Sequence, residues 1–308
     1  MKGSSQVLRI LFVLIVGLAL SGTALAAPPG PVPRPNVGRR PPLILPEQAQ
    51  VAPGVYYLGA VEHEGRIVEG YALVRYQGGA AKPGTQCGNG VCEPGENANK
   101  CPQDCGGTKP DDSSCYAFLA RGAKWKTAEP YIVDPTNERD LSEAAVRGAI
   151  ATSIAKWEDA ADGAMGNGNS LNILGDESTG TVDGADTVSP DNKNEVLFGD
   201  IQDSGAIAVT IVWGVFGGLP FARELVEWDQ VYDDVDYDWS ENCESDDCTA
   251  KMDLENIVIH ELGHSVGLAD LYTAECAEQT MYGYADYGET KKRTLEAGDI
   301  AGVSTLYR

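Results

Sequence analysis

The stretch HELGHSVGLAD, His260–Asp270, places two histidines four positions apart, with a glutamate directly after the first. On a helix His260 and His264 lie one turn apart on the same face, so both rings can reach one ion. The surrounding residues support a helix with one buried stripe. Apolar residues recur at every fourth position, at Leu254, Val258, Leu262 and Val266. The stretch therefore predicts a metal site on a helix.

The residue types in this stretch suit a catalytic zinc ion. Zinc accepts imidazole ligands, and catalytic zinc sites use three protein ligands and keep a fourth position for water. Glu261, next to the first ligand, can take a proton from that water as general base. Gly267 allows the helix to end in a positive-φ turn, which sends the chain back toward the metal. That turn brings Asp270 within reach, and a carboxylate is an acceptable zinc ligand.

The supply of histidines restricts the third ligand. The chain contains three histidines, His63, His260 and His264. His63 lies far upstream, where it could fill the open position of the metal or be an exposed turn residue. We therefore expect the carboxylate of Asp270 to be the third ligand.

Two later stretches extend the pattern. TMYGY, Thr280–Tyr284, and LEAGDIAGVSTLY, Leu295–Tyr307, follow the histidine stretch. Together with HELGHSVGLAD they resemble the matrixin-type metzincins, which are zinc endopeptidases. Met281 matches the Met-turn methionine of that family. The closing helix of the family is matched by Asp299, Ile300, Gly302, Leu306 and Tyr307.

The resemblance covers about residues 115–308. LSEAAVRGAIATSIAKW, from Leu141, is similar to the first helix of that fold, and LVEWDQVYDD, from Leu225, is similar to its acidic strand. The resemblance implies an α+β fold with a twisted, mostly parallel sheet, one antiparallel edge strand, an active-site helix and a C-terminal helix. A substrate peptide would pair along that edge. GAIAVTIVWG, residues 205–214, is the best candidate for the edge strand.

Several departures from the family pattern concern the site. Asp270 stands where matrixins carry a third histidine, as in snapalysin-like metzincins. Tyr282 and Gly283 follow Met281, where matrixins usually have a proline two places on. Tyr284 is a candidate for oxyanion assistance, and a packing role fits it equally. The sequence lacks a cysteine-switch motif, so any latency must arise in another way.

The amino-terminal segment predicts secretion. Residues 1–26 carry Lys2 and Arg9, an apolar core and small residues at a cleavage site, as a signal peptide does. A membrane anchor is the alternative, although the apolar run is short for a span. The chain holds 46 acidic against 23 basic residues, which argues against nucleic acid or anionic lipid as partner. We expect a secreted monomer that acts on protein or peptide substrates, without membrane attachment after the signal peptide is removed.

The next segments precede the catalytic domain. Residues 27–54 form a proline-rich linker. Residues 55–82 alternate apolar and polar residues around EHEGR, which predicts a β-hairpin. Because two strands alone are marginal in water, the hairpin would pack on another part of the chain, and it could be a propeptide. Residues 87–105 resemble short, exported, calcium-associated Cys-rich repeats. We expect two disulfides rather than zinc thiolates among their cysteines, Cys87, Cys92, Cys101 and Cys105.

Residues 115–308 are predicted to form one catalytic domain. Cys243 and Cys248 bracket ESDD and are expected to close a small loop, which leaves Cys115 and Cys276 as a pair. Calcium is a candidate second cofactor, since it binds carboxylate oxygens. Solvated turns and a solvated strand face are the alternative for its candidate ligands. These are Asp176, Asp183, Asp186, Asp229, Asp233, Asp234, Asp236 and Asp238. Further candidate calcium ligands in the Cys-rich module are Glu93, Glu96, Asn97 and Asp104.

The leading hypothesis is a secreted zinc endopeptidase with Glu261 as general base. A gluzincin-type peptidase, with the distant Glu296 as third ligand, is one alternative. It leaves Gly267, Asp270 and Met281 without a purpose. A non-catalytic, calcium-binding secreted surface protein with a decayed zinc site is the other alternative. The intact Glu261 argues against it, because a purely structural zinc needs no base there.

Overall fold

The computed structural model describes residues 40–78, 112–203 and 205–308, all of which belong to one compact unit of the chain. The predicted signal peptide, residues 27–39 of the proline-rich linker and the whole Cys-rich module lie outside the described residues. Within the described ranges, no helix combines the length and apolarity that a membrane span requires.

Three α-helices lie in the described part of the chain. Their bounds are Glu143–Ala160 (α1), Leu254–Ser265 (α2) and Ala297–Tyr307 (α3). Ser142 caps α1 by accepting a 3.2 Å hydrogen bond from the N–H of Ala145, as the predicted start requires. Asp253 caps α2 by accepting a 3.0 Å bond from the N–H of Asn256. Both caps satisfy N–H groups that have no partner within the first helical turn.

One twisted mixed sheet forms the centre of the molecule. Its strands follow the order β1-β2-β3-β7-β8-β6-β4-β5, with β11 pairing to β3, while β9 and β10 form a separate pair. The strand bounds are Gln50–Ala52 (β1), Val55–His63 (β2), Arg66–Gln77 (β3), Tyr131–Val133 (β4), Glu177–Ser178 (β5), Asn194–Gly199 (β6), Ala206–Val215 (β7), Glu224–Asp233 (β8), Trp239–Ser240 (β9), Met252–Asp253 (β10) and Tyr284–Ala285 (β11).

The five strands β5, β4, β6, β8 and β7 confirm the predicted sheet. Strands β4, β5, β6 and β8 are parallel, and β7 runs antiparallel to β8. All residues of β7 except Val215 are buried, as expected for a strand covered on both faces. The predicted hairpin is also present, as β2 and β3 joined at Glu64–Gly65, where both residues have positive φ.

The prediction that β7 is an edge strand was wrong. The hairpin does not stand apart from the catalytic domain, because β3 pairs antiparallel with β7 along almost its whole length. Leu73 lies opposite Thr210, and Arg75 lies opposite Ala208. The backbone groups of β7 that an open edge would offer are therefore taken by β3.

Apolar side chains fill both faces of the sheet. On one face the three helices pack around Trp157 of α1, whose indole N–H donates a 2.7 Å bond to the carbonyl of Ile259 in α2. On the other face, side chains of the hairpin and of β7 lie side by side and form a second cluster. That second cluster includes Val68, Ala72, Val74, Val209, Ile211 and Trp213. The hairpin thus contributes to the hydrophobic core.

Helix α2 differs from its predicted single buried stripe. Every residue from Asn256 to Ser265 is buried, so the helix is covered on all sides. Its four-residue apolar spacing could not show this, because the polar side chains between the apolar ones are also enclosed. A helix buried all round lies in the core rather than at its surface.

Two disulfides confirm the predicted pairs in the described part. Cys115 is bonded to Cys276, and Cys243 is bonded to Cys248. The first ties the start of the 115–308 region to the loop after α2. The predicted pairs among Cys87, Cys92, Cys101 and Cys105 lie outside the described residues.

Candidate metal centre

The end of α2 turns where the sequence predicts it. Gly267 has a φ of +106°, a conformation that favours glycine. Its N–H bonds to the carbonyl of His264 at 2.9 Å, and the N–H of Leu268 bonds to that of Gly263 at 2.9 Å. A Cβ on Gly267 would also lie 2.9 Å from the carbonyl oxygen of Ala123. The turn directs the next residues back beside the helix.

This turn brings three side chains together, and we call them the imidazole cluster: His260, His264 and Asp270. One candidate ligand atom from each lies within 4.8 Å of the others. Oδ1 of Asp270 is 3.1 Å from Nε2 of His260 and 3.6 Å from Nε2 of His264. The three side chains are at most 2% exposed. Nε2 of His264 and Oδ1 of Asp270 are buried without a hydrogen-bond partner. Two imidazoles and a carboxylate with unpartnered ligand atoms fit a zinc ion.

Surrounding groups orient each side chain of the cluster. Nδ1 of His260 lies 2.7 Å from the carbonyl oxygen of Thr280, and Nδ1 of His264 lies 2.9 Å from that of Leu268. Because a carbonyl only accepts, both Nδ1 atoms carry the proton, and the lone pairs lie on Nε2. The hydroxyl of Tyr272 donates to Oδ2 of Asp270 at 3.1 Å. Such outer contacts fix the tautomer and direction of metal ligands.

The protonation states also suit a metal. Burial lowers the pKa of His260 to about 3, with Arg75 contributing, and burial lowers the pKa of His264. Burial would raise the pKa of Asp270, but His264, His260 and Arg75 hold it below its usual range. Neutral imidazoles and an ionised carboxylate are the forms that bind a cation.

Glu261 lies beside the cluster and is fully buried. The hydroxyl of Thr210, on β7, donates a 2.6 Å hydrogen bond to its Oε2, while its Oε1 has no hydrogen-bond partner. Burial raises the pKa of Glu261 to about 8, although Thr210 and Arg75 oppose the shift. The carboxylate thus has one oxygen held in place and one oxygen available.

Met281 packs beneath α2, as a Met-turn residue would. A Cβ at Gly263 would lie 2.1 Å from the Met281 sulfur, so the glycine between the two histidines makes room for this side chain. Asp299, at the start of α3, accepts hydrogen bonds from the N–H groups of Thr280 at 2.8 Å and Met281 at 3.2 Å. The closing helix therefore fixes the segment whose carbonyl orients His260.

Residues 220–308, which include all of these groups except Arg75, Ala123 and Thr210, match the matrixin family. The chain carries a matrixin-like metzincin domain. The match supports a zinc metallopeptidase, and it is consistent with the mixed sheet, helix α2 and the C-terminal helix described above. No curated protein matches the chain.

Arg75 is the main site residue that sequence reasoning missed. It lies on β3, is 0% exposed, and its Nη1 is 2.7 Å from Nδ1 and 3.1 Å from Nε2 of His260 in the matrixin-like domain. The same atom donates to the carbonyl of Tyr282. Nothing in the local sequence signals this position, because it depends on the pairing of β3 with β7.

Three other predicted candidates lie apart from the imidazole cluster. His63 is at the hairpin turn, where its Nε2 is 2.9 Å from Oδ1 of Asn192, so it does not fill the open metal position. Glu296 is the N-cap of α3 and accepts a backbone bond there. Tyr284 packs against the rings of Tyr272 and Tyr282, at centroid distances of 5.5 and 5.8 Å. This contact supports a packing role.

A second group, which we call the acidic cluster, consists of Asp186, Asp191 and Glu227. One oxygen from each lies within 4.8 Å of the others. Oε2 of Glu227 accepts the N–H of Asp191 at 2.7 Å, while its Oε1 is buried without a hydrogen-bond partner. Burial, followed by the charge of Asp186, raises the pKa of Glu227 to about 9. Nζ of Lys193 contacts Asp191 at 2.6 Å.

The other predicted calcium ligands divide into two groups. Asp229, Asp233 and Asp234 are buried, which contradicts a solvated strand face. Asp229 accepts the N–H of Asp186, and Asp233 accepts the N–H of Ile201, so both hold loops to the sheet. The exposed residues are Asp176, Asp236 and Asp238, and Asp183 pairs with Lys193.

Proposed function

We propose that the chain is a secreted zinc endopeptidase that hydrolyses peptide bonds with Glu261 as general base. The observation that carries the proposal is the convergence of unpartnered buried atoms: Nε2 of His264, Oδ1 of Asp270 and Oε1 of Glu261. A buried polar atom without a partner costs stability. Nε2 of His264 and Oδ1 of Asp270 lie 3.6 Å apart, and Glu261 directly follows His260 on the helix. Atoms of this chemistry indicate a metal ion and a water molecule as their partners.

His260, His264 and Asp270 would hold the zinc. When bound, zinc supplies a Lewis acid that polarises the substrate carbonyl and acidifies water. Glu261 receives the proton of the attacking water on Oε1 and passes it to the leaving amine. Thr210 keeps Oε2 in place, so the available oxygen keeps its direction.

Protein or peptide chains are the proposed substrates, and the extracellular space is the proposed location. Two disulfides in the described part support secretion, because such bonds persist in oxidising compartments. The net charge of −23 opposes nucleic acid and anionic lipid as partners. We propose a monomer, without membrane attachment once the signal peptide is removed.

The substitution Glu261→Gln tests the proposal. We expect casein hydrolysis to fall by at least about 100-fold, since general base catalysis contributes that much or more, while metal analysis still finds one zinc per chain. The matched control is Glu255→Gln on the same helix, which removes a carboxylate paired with Lys156. Equal hydrolysis by Glu261→Gln and the control would contradict the assignment. Zinc binding without any hydrolysis by the wild-type chain, under all activating conditions, would favour the non-catalytic alternative.

We also propose that the acidic cluster binds calcium. The buried Oε1 of Glu227 has no hydrogen-bond partner and lies in a group with the carboxylates of Asp186 and Asp191. Three carboxylates without an imidazole suit a hard cation that prefers oxygen ligands. The cluster joins the loop before β6 to β8, so the bound ion would stabilise the sheet rather than take part in hydrolysis.

A further inference from the structure

We propose that β3 and Arg75 together form a built-in inhibitor, which closes the peptide-binding edge and the imidazole cluster at the same time. This inference rests on the proposed function, since it names how that site is kept inactive. Such an inhibitor needs a strand that competes with the substrate and a cation that competes with the metal ion, and β3 supplies both.

The first part of the inhibitor is the strand itself. An extended substrate would add to β7 by bonding to its free N–H and C=O groups. In this structure β3 occupies that edge from Glu69, opposite Gly214, to Tyr76, opposite Ala206. Thr210, which bonds the proposed general base, lies opposite Leu73. A substrate strand therefore cannot reach the edge beside Glu261 while β3 is in place.

The second part is the guanidinium of Arg75. Nδ1 of His260 gives its proton to the carbonyl of Thr280, so the lone pair of this ring lies on Nε2. Nη1 of Arg75 is a donor only, and it lies 2.7 Å from Nδ1 and 3.1 Å from Nε2 of His260. The shorter contact joins two donors, so Nε2 is the nitrogen of this ring that can accept its proton. A metal ion needs the same lone pair. Arg75 and zinc are therefore competing partners of one nitrogen atom.

Charge adds to this competition. The guanidinium is a buried cation. The negative charges of Glu289, Asp270 and Glu261 stabilise it. A divalent ion in the imidazole cluster would repel this cation at short range, where water screens little. The carboxylates can stabilise the guanidinium or the divalent ion. If both cations lie beside His260, their mutual repulsion lowers the affinity for the metal.

The closed arrangement also leaves polar groups unsatisfied. Nε and Nη2 of Arg75 are buried without hydrogen-bond partners. A buried charged group that serves a purely structural purpose usually has its donors satisfied. The incomplete bonding of Arg75 is expected for a residue that occupies a site built for another partner.

The segment that contains Pro53 also competes for a hydrogen bond that orients Asp270. The hydroxyl of Tyr272 lies 3.1 Å from Oδ2 of Asp270 and 2.9 Å from the carbonyl oxygen of Pro53. A hydroxyl has one proton, so these acceptors compete for it. Displacement of the segment that contains Pro53 and β3 would leave Tyr272 free to orient the metal ligand.

Zinc titration of the full chain tests the competition without relying on activity. We expect Arg75→Gln and Arg75→Ala to bind zinc at least about tenfold more tightly than the wild type in chelator competition, within the usual range of coupling between two ligands. Arg75→Lys, which keeps a cation, should stay within about threefold of the wild type. Arg66→Ala, which removes an exposed cation from the same strand, is the matched control. Equal zinc affinity in all chains would overturn the proposal.

Hydrogen exchange of the wild-type chain provides a second measurement that does not depend on any variant folding. Because coupling is reciprocal, zinc must weaken the seating of β3 by the factor by which β3 weakens zinc binding. We expect saturating zinc to accelerate amide exchange in residues 66–77 and 206–215. Unchanged or slower exchange in both strands would overturn the view that strand and arginine act as one inhibitor.

Casein hydrolysis at equal zinc occupancy separates inhibition from catalysis. We expect Arg75→Gln to cleave faster than the wild type, because β3 without its arginine has lost the bond to the carbonyl of Tyr282 and holds the edge of β7 less tightly. A slower rate would make Arg75 part of the catalytic machinery and would overturn the inhibitor. If Arg75→Gln binds zinc more tightly but no chain cleaves casein, the competition is supported and the peptidase assignment fails instead.

Discussion

The imidazole cluster and the acidic cluster are both small groups of potential metal ligands, but the side chains of the first are all buried, whereas in the second only Glu227 is buried. His260, His264 and Asp270 come from one helix and the turn after it, so eleven consecutive residues hold all three. Asp191 and Glu227 lie 36 positions apart in sequence and are joined by a hydrogen bond between loop and sheet. The first cluster is therefore local, whereas the second exists only after the sheet has formed.

The surroundings of the two clusters differ as well. Backbone carbonyls accept the protons of both imidazoles in the first cluster, which leaves their lone pairs directed at one point. Backbone N–H groups and Lys193 already bond part of the second cluster. The first is suited to hold an ion with an open position for chemistry. The second is suited to neutralise charge at a junction of the fold.

The largest expected effect that separates the clusters comes from Asp270→Asn. We expect zinc affinity to fall by more than about 100-fold, because even the loss of an outer contact to a ligand costs 10- to 100-fold. The change removes the only carboxylate of the cluster and leaves the amide unable to replace its charge. Chelator competition measures the loss.

The acidic cluster provides the contrast for this experiment. The increase in melting temperature caused by calcium should be the same in Asp270→Asn and wild type, because the two clusters share no residue. Asp247→Asn, in an exposed loop, is the control for the removal of one carboxylate. Unchanged zinc affinity in Asp270→Asn would remove the imidazole cluster from consideration as a metal site.

Glu227→Gln is expected to have a smaller effect than Asp270→Asn, and it should change the response to calcium rather than the affinity for zinc. Calcium at 100 times its Kd should stabilise the wild type by about 2.7 kcal/mol through mass action, and the variant should lose that gain. Without calcium at pH 7 the two should differ little, because the raised pKa of about 9 already keeps Glu227 protonated. Thermal unfolding with and without calcium measures both quantities.

Two observations would distinguish this outcome from general damage. Zinc affinity should be unchanged in Glu227→Gln, and the exposed Glu62→Gln should retain the full response to calcium. A calcium response of equal size in all three chains would place the calcium elsewhere or show that none binds.

The contrast between the clusters explains what the sequence could predict. Helix spacing, a glycine with positive φ and a nearby carboxylate suffice to predict the imidazole cluster, since all three act within one stretch. The helices, the hairpin and the pairs Cys115–Cys276 and Cys243–Cys248 were also predictable, because each is signalled by local spacing or by elimination.

Long-range register was not predictable in the same way. Arg75 and Tyr272 reach the cluster only because β3 pairs with β7 and the loop after α2 folds beside it. One signal was nevertheless present. GAIAVTIVWG is apolar at nearly every position, which is typical of a strand covered on both faces and paired on both sides rather than of an edge. Its composition already disfavoured an open edge in this chain.

The smallest expected effect tests how the imidazole cluster is held from outside, through Asp299. Burial raises the pKa of Asp299 to about 6, despite the bonds it accepts from the N–H groups of Glu296, Thr280 and Met281. The usual value is 3.8, so between pH 4 and 6 the folded chain keeps a proton that the unfolded chain has lost. Its stabilising contribution is therefore complete near pH 4 and is lost as the pH rises through 6.

Asp299→Asn removes this titration, so the free energy of unfolding of the wild type should decline relative to the variant between pH 4 and 6. The slope should not exceed about 1.4 kcal/mol per pH unit, the limit for one proton. Denaturant unfolding of zinc-free protein measures it, with the exposed Asp236→Asn as control. A wild-type advantage that grows with pH would mean that the ionised carboxylate is the stable form. The segment of Thr280 and Met281 would then be held by a carboxylate that stays ionised between pH 4 and 6.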